Sequence, residues 1–93
     1  MKVKVKFFML REITRKRVEE VEVEEGATVH QLLEVLAQKY GQEFRKRVWN
    51  EFGMPRSHIH FLLDGKNIRS LDGFKTRLKE GSTLAIIPPI GGG

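Results

Sequence analysis

The chain has 93 residues, 40% hydrophobic and 31% charged, a balance that fits one globular domain around a single modest core. It has no Cys, which excludes disulfides, thiolate metal sites and a cysteine nucleophile. Its net charge of +5 admits an acidic protein or a nucleic acid as partner.

The charge is uneven. Up to Arg17 there are seven Lys or Arg and one acid, Glu12, whereas Glu19 to Glu25 holds five acids and no base. No apolar run approaches the roughly 20 residues that span a bilayer, so no membrane partner is expected. The opening alternation of Lys with Val is not a signal peptide, and a cytoplasmic location is expected.

Residues 2–10 alternate, with Val3, Val5, Phe7 and Met9 on one face and Lys2, Lys4, Lys6, Phe8 and Leu10 on the other. That period of two predicts a half-buried strand. Residues 11–16 read as a turn. Residues 17–24 read as a second strand with Val21 and Val23 inward, and Glu19-Glu20 marks a bulge. The short spacing joins the two as an antiparallel hairpin.

Thr28-x-x-Gln31 has the form of a capping box, and Val29, Leu32, Leu33, Leu36 and Tyr40 recur at helical spacing. Gly41 suits the end of that helix. Phe44, Val48, Trp49 and Phe52 predict a further short helix around 43–52, with Arg45-Lys46-Arg47 directed away from the aromatics.

Residues 58–63 read as a third strand, Ile59, Phe61 and Leu63 inward and His60 and Leu62 outward. Asp64-Gly65 is a hairpin turn signal, and Lys66 to Ile68 gives a short fourth strand. Leu71 to Leu78 is irregular or a single helical turn. Thr83 to Ile87 is the last strand, with Leu84 and Ile86 inward and Ala85 and Ile87 outward. The order β-β-α-β-β-β predicts an α+β domain, a mixed sheet covered on one face by the main helix. The last strand can lie centrally, parallel to the first.

The chain closes Ile86-Ile87-Pro88-Pro89-Ile90-Gly91-Gly92-Gly93. Pro88 and Pro89 should stop the strand, dividing a domain of residues 1–87 from a flexible tail of 88–93. The glycines carry no Cβ and would let backbone pass where a side chain clashes. Extended, Pro88 to Gly93 spans roughly 20 Å. Such a tail suits entry into another protein's active site, carboxylate leading; the same residues would also serve as a frayed terminus.

Leu62-Leu63-Asp64-Gly65-Lys66-Asn67-Ile68, Gly81-Ser82-Thr83-Leu84 and the final glycines resemble ubiquitin-like β-grasp proteins. The Pro-Pro segment before the glycines resembles one branch, the sulfur-carrier small subunits of molybdopterin synthase (MoaD). The resemblance implies a β-grasp fold and a non-catalytic carrier. An ATP-dependent, ubiquitin-activating-like enzyme would adenylate Gly93, a sulfur donor protein would supply sulfur for a thiocarboxylate, and the large synthase subunit would receive it. Gly91, Gly92, Pro88 and Pro89 would thread the tail. No cofactor is implied on this chain, and the ATP belongs to the activating enzyme. Three features depart from the usual pattern: the extra glycine Gly91, the long 42–57 connection, and Asp64-Gly65 in place of Asn-Gly.

The chemistry agrees with that division of labour. An α-carboxylate is ionised at pH 7 and is a poor electrophile until adenylation supplies a leaving group. This chain has no Walker A loop or GxGxxG, so the nucleotide chemistry is expected from a partner. Phe8, Leu62, Ala85 and Ile87 all point away from the helix-covered face and form a candidate docking patch for the large subunit or the activating enzyme. His58-x-His60 lacks further ligands, and no metal site is expected. Arg15-Lys16-Arg17 and Arg45-Lys46-Arg47 near Trp49 raise nucleic acid as a further reading, with solvated faces and a core Trp the simpler one. A ubiquitin-like modifier joined to lysines through Gly93, or a carrier for another thiolation pathway, is the other alternative.

Overall fold

The computed structural model describes residues 1–8, 10–53, 56 and 58–88. In chain order the elements are β1 (Lys2–Phe7), α1 (Arg11–Thr14), β2 (Val18–Glu22), α2 (Val29–Tyr40), α3 (Gln42–Val48), β3 (His60–Leu63), β4 (Lys66–Asn67), single 3₁₀ turns at Ile68–Ser70 and Gly73–Lys75, and β5 (Thr83–Ile87). The sheet runs β2-β1-β5-β3-β4. β1 pairs antiparallel with β2 and parallel with β5, and β5 pairs antiparallel with β3, so the expected mixed sheet with a central last strand is present.

The inner face follows from the alternation. Val3, Val5, Phe7, Phe61, Leu63, Leu84 and Ile86 are buried, as are Val29, Leu32, Leu33, Leu36 and Ala37 on α2. Thr28 caps α2: its hydroxyl accepts from the Gln31 N–H (3.2 Å), while the Gln31 side chain accepts from the Thr28 N–H (2.8 Å). Gly41, at φ 79°, ends α2, and its carbonyl accepts from Arg45 as α3 begins. Rings then bridge the layers in sequence, Phe7 to Tyr40 (5.9 Å), Tyr40 to Phe44 (6.0 Å) and Phe44 to Trp49 (6.4 Å).

Several expectations are corrected. β1 stops at Phe7, and Leu10, only 2% exposed, turns into the core as 11–14 wind into α1 rather than a turn. β2 has no bulge: its register is continuous from Lys2–Glu22 to Lys6–Val18, and Glu19 takes an inward position opposite Val5. Lys39 and Tyr40 hydrogen-bond the Glu19 carboxylate there, which makes its burial tolerable. The extra helix closes at Val48, and Phe52, 80% exposed, is not part of the core. Arg45 does not point away from the aromatics; its guanidinium lies over the Trp49 ring, 5.7 Å from the centroid.

Candidate partner-binding site

β5 lies between β1 and β3, so its outward residues Thr83, Ala85 and Ile87 are flanked on both sides, and each is half-buried. Across the antiparallel pair, Leu62 stands opposite Ala85 and His60 opposite Ile87. On the parallel side Lys6 aligns with Ala85. Phe8, just beyond β1, donates its N–H to the Ile86 carbonyl (3.2 Å) and is 45% exposed. The structure therefore brings Phe8, Leu62, Ala85 and Ile87 onto adjoining outward positions at the end of β5 where the tail departs. Lys4 and Lys6 are exposed on the same face. The turn into β4 fixes Leu62 in register. Asp64 (φ 50°) and Gly65 (φ 86°) both take positive φ, and Asp64 Oδ1 accepts from the Thr83 N–H (2.9 Å).

Pro88 is the last described residue of the tail; Pro89, Gly91 and Gly92, expected to thread it, and Gly93, expected to carry the sulfur, lie outside the described residues. Pro88 borders a cleft of about 580 Å³ that the sequence did not disclose. Leu10, Val48, Ile59 and Ile86 supply apolar lining, with Lys46, Arg47, Arg56 and His58 among its polar groups. These residues come from separate stretches of chain, and no local spacing announces them. His58 precedes β3, which begins at His60 and not at residue 58 as expected; His60 Nδ1 lies 3.5 Å from Asn67 Nδ2. Among the described residues no group of His, Asp and Glu side chains could hold a metal, and no helix is long and apolar enough to cross a membrane.

The basic clusters are partly engaged. Arg47 pairs with Glu12 at 2.6 Å; the Glu12 carboxyl is held below its usual range by its own backbone N–H and then by Arg47. Trp49 is 7% exposed and covered by Arg45, leaving it no open face for a base.

The family profile described as the ThiS family matches residues 6–93. Small archaeal modifier protein 3 of Haloferax volcanii is 29% identical over 94 residues, covering 100% of both chains. The crystal structure of SAMP1 from Haloferax volcanii superposes with a TM-score of 0.87 at 28% identity, again over 100% of both chains. A Pyrococcus furiosus structure, provisionally described as molybdopterin converting factor subunit 1, gives a TM-score of 0.76 at 26% identity, covering 97% of this chain and 99% of that one.

Proposed function

The chain belongs to the ThiS family of ubiquitin-like β-grasp sulfur carriers, and from that premise we propose that its sulfur is carried on Gly93 and donated to molybdopterin synthesis. The observation that carries this reading is the apolar patch at the end of β5, immediately before Pro88: a protein held there is in position to take the tail. In the proposed cycle an adenylating partner joins the Gly93 carboxylate to the α-phosphorus of ATP, releasing pyrophosphate. A hydrosulfide supplied by a sulfur donor protein then attacks the acyl carbon, the C–S bond forms and AMP leaves. The large synthase subunit receives the resulting thiocarboxylate. The domain of residues 1–87 docks, and 88–93 reaches the reacting centre.

A second reading, conjugation of Gly93 to lysines, is favoured by the similarity over the full chain to the small archaeal modifier protein of Haloferax volcanii. Intact mass of the protein isolated from its own cells separates the two. One oxygen exchanged for sulfur at Gly93 supports the carrier. Higher-mass species with Gly93 in an isopeptide bond support the modifier. Neither form, in cells making the cofactor, removes both.

A further inference from the structure

The cleft beside Pro88 is separate from the outer patch but meets it at one point. Ile86 faces inward and lines the cleft; Ile87 faces outward and belongs to the patch; Pro88 borders the cleft again. A protein that grips the tail at Pro88 therefore lies against both surfaces. The cleft is chemically one-sided. Its apolar lining is aliphatic, from Leu10, Val48, Ile59 and Ile86, and it carries Lys46, Arg56 and His58, with Arg47 already paired to Glu12 and no acid among the described lining residues. Arg56 is fixed in place: its N–H donates to the Val48 carbonyl and its Nε to the Lys46 carbonyl, both at 2.8 Å.

We infer that this cleft binds an acidic segment of the tail-accepting protein, an aliphatic side chain on its floor and flanking carboxylates against Lys46 and Arg56. The inference rests on the reading that the tail is handed to a partner. Two other occupants fit less well. A nucleic acid would want aromatic faces for stacking, but Trp49 is covered and Phe52 does not line the cleft. The chain's own tail would have to fix five backbones beyond Pro88, and the entropy lost would exceed what one exposed ion pair and the burial of Ile90 return. A folded partner segment brings its backbone already ordered.

The test is methyl NMR on the full chain, titrated with the blocked peptide Asp-Asp-Leu-Asp-Asp and, as control, Lys-Lys-Leu-Lys-Lys. The acidic peptide should shift the methyls of Leu10, Val48, Ile59 and Ile86, and bind several-fold more weakly at about 0.3 M than at about 0.02 M salt. The control should shift none of them. Lys46→Glu changes an exposed side chain, keeps the fold, and should weaken acidic-peptide binding roughly tenfold. Absent or salt-independent shifts, or Lys46→Glu binding like wild type, overturn the inference. So does oligouridylate moving the same methyls at lower concentration, or Ile90 and cleft methyls moving together on adding salt without peptide. Peptide binding requires neither adenylation nor conjugation. Its loss with ATP–pyrophosphate exchange intact defeats this inference alone, and lost exchange with peptide binding intact defeats the carrier reading alone.

Discussion

Leu62 stands directly opposite Ala85 across the β3–β5 pair, on the outward face of the central strand that leads into the tail. Both are half-buried, and Phe8 and Ile87 extend the apolar surface toward Pro88. A carboxylate at position 62 would place charge on the surface proposed to be desolvated by a partner. Leu62→Asp should weaken binding to the adenylating enzyme at least about tenfold by calorimetry. It should leave the melting temperature nearly unchanged, because the side chain lies outside the core. Unaltered affinity would take the patch out of the docking surface.

Thr28 closes a reciprocal cap at the start of α2. Loss of its hydroxyl leaves the Gln31 N–H without its acceptor at a terminus that has no acidic residue in its first turn. Thr28→Ala should lower stability by about 1 kcal/mol in urea denaturation, and Thr28→Ser should restore most of it. Equal loss in both variants would assign the effect to the Thr28 methyl and not to the cap.

Glu19 carries a pH dependence whose sign follows from its neighbours. Burial opposes its charge, but hydrogen bonds from Lys39 and Tyr40, with the charges of Lys39 and Lys16, outweigh that and hold the carboxyl below its usual range. A lowered carboxylate stabilises the fold above its unfolded pKa of about 4.3, and the contribution is lost as pH falls through the folded value. Tyr40 is shifted the other way, raised first by burial and then by Glu19. Its contribution is present below about pH 10 and fades as pH rises through the folded value. Glu19→Gln should cost about 1–2 kcal/mol at pH 7 in urea denaturation. The gap to wild type should begin to narrow below about pH 4 and close as pH falls through the folded value. A gap that persists in acid would mean that packing, not charge, sets the cost.

The legible part of this fold was local. The Lys-Val alternation of β1, the Thr28–Gln31 cap, the stripe from Val29 to Tyr40 and the Asp64-Gly65 turn each encode their geometry within a few residues. What escaped depended on partners distant in sequence. Glu19 looked like an interruption because Lys39 and Tyr40 lie 20 and 21 residues away. Leu10 kept the alternation of β1, yet the chain had already left the strand for α1. The outer patch was readable because strand alternation and topology together place it. The cleft was not, since Leu10, Lys46, Arg56 and Pro88 share no spacing.

The tail prediction separates stability from chemistry. The core ends with Ile86, which is fully buried, and Ile87 and Pro88 are half-buried beyond it. Removing Gly93 or adding a side chain at Gly92 alters none of the described core residues. The proposed activation differs, because adenylation of Gly93 would need the α-carboxylate at one distance from the docked domain. Loss of one residue draws that carboxylate back by roughly 3.3–3.6 Å. A displacement of even about 1 Å can cost a hundredfold in rate. Gly92→Val would put a β-branched side chain where the tail must thread. Both variants should keep the wild-type melting curve, still bind the adenylating enzyme through the β5 patch, and fail to support ATP–pyrophosphate exchange. Gly91→Ala adds only a methyl one position further from the reacting carbon and should remain active. Wild-type exchange by the chain lacking Gly93 would remove the terminal glycine from the mechanism and leave the patch as a binding surface without a carrier.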